Sequence, residues 1–401
     1  MIREDPEVPG LLYAGTERGA YVSFDDGAHW QPLKLNMPLV PVHDLQVKGT
    51  DLVAATHGRS FWVLDDVTPL RQLARDAEAG ALRLFAPRDT VRTTASSHGF
   101  DRAPDNVVKP TIMGDHYVAA VLDTGDAPIF ADAGQNLPPG VILQYYLAAK
   151  AEEPVQITIR DAQGRTAATF PAEPAKKGEP KPLPADAGSH RRIWDMCYPG
   201  ATKIEDAKTD WPRCAPLAPP GDYEVELKVG DKAQTKRFRL LPPPNVDIPQ
   251  EDYEEQFAFL CKVRDLVDSI HTAVNRIGRL DAQLADWESR VAGTERESEV
   301  LAQAKALRDD LRAVRELLIQ DKIDNFQDTI NFPPRLGYRV ANIFSVAASA
   351  DARPTRQSYE AFADLEAEAT SVLGRLDALL EGDIARFNAR VHELDLPALT
   401  A

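Results

Sequence analysis

The sequence predicts a multidomain α+β protein, and three observations predict it. A stretch of about forty residues repeats near the N-terminus. Short β-rich runs separated by turn residues fill the middle, and an apolar period of three and four residues runs through the C-terminal third. Together they give a partial β-propeller of about two incomplete blades at 1–75, a connector at 76–138, an Ig-like, fibronectin-like β-sandwich at 139–244 and an antiparallel helical bundle at 245–401. A length of 401 residues suits several domains. A hydrophobic share of 43% against 27% charged supplies enough apolar side chains for real cores.

Residues 12–26, Leu-Tyr-Ala-Gly-Thr-Glu-Arg-Gly-Ala-Tyr-Val-Ser-Phe-Asp-Asp, align without a gap on residues 52–66. Leu12 and Leu52, Ala14 and Ala54, Thr16 and Thr56, Asp25 and Asp65, and Asp26 and Asp66 are identical, and Tyr21 falls on Phe61. A shift of 40 is the period of a four-stranded propeller blade. Each copy is two strands around a polar turn, Glu17-Arg18-Gly19 or His57-Gly58-Arg59. Strands near 11–16, 20–25 and 30–35 read as the second to fourth of one blade. Those near 42–48, 51–56 and 60–65 read as the first three of the next. A propeller closes only with four or more blades, so two leave unpaired edges that invite association. Ser23, Asp25, Gly27 and Trp30 form S-x-D-x-G-x-x-W, which resembles the Asp-box, or BNR repeat. Here Asp accepts backbone N–H bonds across the turn, Gly permits a left-handed angle and Trp packs the next strand. The second copy departs, because Val-Thr-Pro follows Asp65-Asp66.

The connector shows little periodicity, with one strand candidate at 117–122. From Gly140 the pattern sharpens. Strands are expected at 141–147, 155–160, 166–170, 190–195, 224–229 and 234–240, with turns at Asp161-Ala-Gln-Gly164 and Gly230-Asp231. Trp194 is expected in the core, and the Lys- and Pro-rich 176–184 as a loop. Cys197 and Cys214 lie about 17 residues apart around a polar excursion. They are either a disulfide, worth roughly 3 kcal/mol, or two separate thiols.

After Pro242-Pro243-Pro244, Val263, Val267, Ile270, Val274 and Ile277 mark one helix face. Leu301, Ala304, Leu307, Leu311, Val314 and Leu318 mark another. A short helix at about 335–349 follows, and Thr355 is the N-cap candidate of a last helix running to Val391. Arg308, Asp309 and Asp310 read as a solvated face, and Cys261 as a buried thiol.

Lys and Arg number 46 against 62 Asp and Glu, a net charge of -16, which argues against a nucleic-acid partner. No run of 18 apolar residues predicts a membrane span, and the acidic start has no signal-peptide core. The eight histidines are scattered, no zinc spacing occurs, and no nucleophile elbow, phosphate loop or dinucleotide fingerprint is present. The sequence therefore implies no metal and no cofactor. The turns carrying Arg18, His57 and Arg59 fall on the face where propellers commonly hold ligands, and Arg59 with His57 would suit an anionic group.

Residues 11–73, with the box at 23–30 and Ala55-Thr-His-Gly-Arg-Ser-Phe-Trp-Val-Leu-Asp-Asp66, resemble the end of bacterial sortilin-like BNR/Asp-box propeller proteins. Trp194-Asp195 through Gly200 and Asn331-Phe-Pro-Pro334 through Pro354 resemble the tail of that family. The resemblance implies an extracytoplasmic protein, periplasmic or secreted, with further blades upstream or on a separate propeller chain. It also implies a protein or carbohydrate ligand. Members often carry a glycosyl hydrolase or exo-sialidase-like label. The arginine cluster and Tyr/Glu pair of a sialidase do not map here, so no catalytic residue carries over. Two expectations follow: a non-catalytic binding or assembly region, or part of a glycoside hydrolase whose site needs blades absent from this chain.

Overall fold

The computed structural model describes residues 1–33, 35–76, 80–93, 121–123, 128–130, 140–171, 182–205, 207, 211–287, 297–323 and 326–393. The strand candidate at 117–122 and the loop at 176–184 fall largely outside them. The fold is mixed α+β, with several sheets, one curled into a half-barrel, and six α-helices among the described residues. It divides into two compact units. One holds Met1–Cys197 with Pro220–Val246, the other Tyr198–Pro219 with Asp247–Ala401.

In the first unit β1 (Ile2–Glu4), β2 (Leu12–Thr16), β3 (Gly19–Ser23) and β4 (Gln31–Pro32) form a four-stranded antiparallel meander. The first strand, missing from the sequence reading, is thus supplied by residues 2–4. A second meander follows with β5 (Val42–Lys48), β6 (Asp51–Thr56) and β7 (Phe61–Leu64). Leu11, Tyr13, Val22, Val42, Leu45, Leu52 and Val67 form one core beneath both. Complete burial of Leu11 and near-complete burial of Leu45 contribute about 1.5–3 kcal/mol each. The two sheets meet where β2 has no side chain: a Cβ on Gly15 would lie 2.8 Å from Val42. Helix α1 (Thr68–Arg75) closes this part, with Pro69 in its first turn, where a missing N–H costs nothing.

The six strands expected between 141 and 240 are present, two with the expected bounds and four with shifted ends. Strand β12 (Val141–Leu147) pairs with β15 (Gly188–Trp194) on one side and β8 (Leu82–Leu84) on the other. The second sheet runs β14 (Thr166–Phe170), β13 (Val155–Asp161), β16 (Gly221–Val229), β17 (Lys232–Leu241) and β9 (Thr90–Val91). The last pairing is parallel. Strands β10 (Val121–Asp123) and β11 (Pro128–Phe130) make a separate antiparallel pair. Trp194 is in the core, as expected, 1% exposed. Its ring centroid is 5.4 Å from Tyr223 and 6.2 Å from Phe238, so β15 faces the five-stranded sheet. In the turn after β13, Asp161 accepts the N–H groups of Gln163 and Arg165 while Gly164 takes φ 77°.

The second unit is helical: α2 (Gln250–Ala285), α3 (Glu297–Leu318), α4 (Leu336–Ala347) and α5 (Arg356–Leu379). The last continues through a π turn (Leu380–Ile384) into α6 (Ala385–Glu393). The stripe Val263, Val267, Ile270, Val274 and Ile277 is buried. Thr355 caps α5 by accepting the Ser358 N–H at 3.2 Å. Cys261, expected to be buried, is half-buried, because it sits off that stripe.

The sequence placed 198–219 inside the sandwich, but it belongs to the helical unit. The reason lies on one face of α2. Asp268 accepts the Thr202 N–H at 2.7 Å, His271 Nδ1 donates to the Thr202 carbonyl at 2.7 Å, and Asn275 bonds the Glu205 N–H and the Lys203 carbonyl. Spacings of three and four place all three side chains on that face.

Candidate functional site

The Asp-box turn is built from its own side chains. Asp25 Oδ1 accepts the His29 N–H at 2.8 Å and the Ser23 hydroxyl at 2.9 Å. Ser23 Oγ in turn accepts the Gly27 N–H. Asp26 and Gly27 take φ 56° and 88°, and the Trp30 ring lies over Gly27. Bonds from the His29 backbone amide, then from its ring, hold the Asp25 carboxyl down at about 2. Every acceptor position named is spent on the turn itself.

The second copy uses the same kind of device at a different place. Asp66 takes φ 69°, and its Oδ1 accepts the Thr68 N–H and hydroxyl, starting α1 in place of a fourth strand. Neighbouring Asp65 has its pKa raised, by burial first and by Asp51 second. Asp51 is held by Arg88 at 3.3 Å, and Asp66 Oδ2 accepts from Gln144 at 3.2 Å. These carboxylates tie the second meander to the neighbouring sheet.

The gapless alignment slips by one residue after the turn. Tyr21 pairs with Ala14, but Ala54 pairs with Trp62, not with Phe61. The first hairpin turns on Glu17 and Arg18. The second turns on His57, Gly58 and Arg59, with Thr56 bonding across to the Ser60 carbonyl and Gly58 and Ser60 at positive φ. Trp62 is therefore the counterpart of Tyr21, and Phe61 points outward at 72% exposure.

That extra residue shapes the expected ligand face. His57 stacks on His43, ring centroids 5.0 Å apart, and the Arg59 carbonyl accepts the Trp62 indole N–H. Arg18 and Arg59 are exposed, and neither guanidinium bonds another described residue. The structure thus brings His43, missed by the sequence reading, to His57. It gives no contact joining Arg18 to Arg59.

A second group escaped the sequence altogether. Arg71 of α1 is 3% exposed, and its Nε lies 3.0 Å from both oxygens of Asp5, whose side chain is wholly buried. Its other nitrogens reach Glu7 at 2.8 Å and the Gly49 carbonyl at 2.9 Å. Asp5 also accepts the Glu7 and Val8 amides and the Tyr13 hydroxyl. Burial and then the Asp5 charge push the Tyr13 hydroxyl pKa well up. The partners are 66 residues apart and surrounded by other acids and bases, so no spacing rule flags them.

Cys197 and Cys214 are both buried, the first in the first unit and the second in the helical unit. The Cys197 sulfur leans on the Asp195 carbonyl at 3.6 Å in the first unit. Cys214 lies in the helical core with Ala201, Ile204 and Phe259, where burial pushes its thiol up to about 12. Among the described residues no group of three or more His, Cys, Asp or Glu could hold a metal ion. No helix among them is long and apolar enough to cross a membrane. No family model matches the chain, and no curated protein matches it.

Proposed function

We propose that this chain is a non-catalytic region of an Asp-box propeller protein, acting outside the cytoplasm in assembly and in binding a protein or carbohydrate ligand. The observation that carries the reading is the open edge of the second meander. Strand β7 has no partner beyond β6 among the described residues, and it exposes Phe61 at 72% and Val63 at 51%. An apolar edge strand with unpaired amides is a liability unless something covers it. Two adjacent meanders sharing a core, one bearing the Asp-box bonds, are what neighbouring blades require, and two blades do not close a ring. The occupant is an outer strand from the polypeptide that carries the remaining blades.

The activity half is tested by incubating the purified chain with aryl glycosides and with sialosides. No turnover above the buffer blank is expected. Hydrolysis by the chain alone contradicts the reading and favours a sialidase-like glycoside hydrolase.

A further inference from the structure

A cavity of about 670 Å³ opens in the helical unit between α2, α3 and the segment leading into α4. That volume is in the usual range for small-molecule sites. Ile277, Ile319 and Phe332 supply apolar wall, and Gly278 of α2 also lines it. The charges around it divide into committed and uncommitted groups. Arg315 is spent, bonding Asp321 through Nε and Nη2 and the Val274 carbonyl through Nη1. Asp281 is spent on Arg308 at 2.8 Å.

What remains is mostly cationic. Arg335 makes no ion pair or hydrogen bond through its side chain with any described residue, and Lys322 has only the Phe332 ring beneath it, 5.8 Å away. Arg312 has a loose 3.6 Å contact with an exposed Asp309. Arg335 also precedes the first turn of α4, which has no side-chain cap, so the positive helix end is at the same rim. Glu316 is the one uncommitted acid in the described lining. Three available cations against one acid stand out in a chain of net charge -16.

We infer that this cavity binds a small amphipathic organic anion. The apolar body rests against Ile277, Ile319 and Phe332, and the acid group is held by Arg335, Lys322 and Arg312. Guanidinium and ammonium groups recognise carboxylate and phosphate alike, so the shared chemistry is an anionic head on an apolar or aromatic body. This inference stands apart from the propeller reading, since every residue in it belongs to the helical unit.

The test is calorimetric titration of the full chain with 2-naphthoate, beside its neutral analogue 2-naphthamide. Saturable one-site binding of naphthoate is expected, at least about tenfold tighter than naphthamide. The double variant Lys322→Gln with Arg335→Gln is expected to lose about tenfold in affinity, and Glu316→Gln to gain severalfold. All three side chains are exposed, so the variants are expected to melt with the wild type. Absence of saturable binding, equal affinity for naphthamide, or indifference to these substitutions would each overturn the assignment.

Discussion

Arg71 shows how a single side chain holds the N-terminal strands to a helix. Its guanidinium meets Asp5 with both partners out of solvent, and Glu7 and the Gly49 carbonyl use the remaining donors. Such a pair adds little net stability over an apolar substitute, but removing one partner strands the other. Arg71→Ala leaves Asp5 as a buried charge and is expected to cost about 3–5 kcal/mol. The check is urea unfolding followed on β-sheet circular dichroism. A loss within about 0.5 kcal/mol, typical of a surface change, would show that Asp5 finds solvent or another donor.

Element-scale behaviour follows from α2, which anchors residues 202–205 through Asp268, His271 and Asn275. His271 is 1% exposed, and burial lowers its pKa below the usual imidazole value, against the bond to Thr202 and the charge of Asp268. The folded state therefore keeps it neutral to lower pH than the unfolded chain does. Below about 6.5 the unfolded state takes up the extra proton, so stability present at neutral pH is lost as the pH falls. Thermal melts of the helical signal between pH 7.5 and 5 should fall more steeply in the wild type than in His271→Gln. Equal slopes would remove His271 from the account.

Legibility in the sequence also divides by element. The strands at 141–147 and 166–170 have the expected bounds, because short β-rich runs between turn residues mark them. The α2 stripe is legible from an equally local signal, its three- and four-residue apolar period. Strands β8 and β9 are three and two residues long and exist only through their partners β12 and β17, so nothing local announces them. The Tyr21–Phe61 equivalence failed because one added turn residue swaps the faces of everything after it. Of the candidate ligand residues, the turns of Arg18, His57 and Arg59 were legible and the His43 stack was not. The cavity residues come from three segments whose convergence is tertiary.

At the scale of the whole molecule, the two meanders share one core, and among the described residues no further strand pairs with β7. The bond from the Thr56 N–H to the Ser60 carbonyl sets the antiparallel alternation. It turns the amides of Trp62 and Leu64 toward β6 and those of Phe61 and Val63 to the open side. Residue-resolved hydrogen exchange on the isolated monomer reads this difference directly. Slow exchange at Trp62 and Leu64 with fast exchange at Phe61 and Val63 is predicted. Equal protection at all four positions would mean that this chain covers its own β7 edge, and the unfinished propeller would be the wrong description.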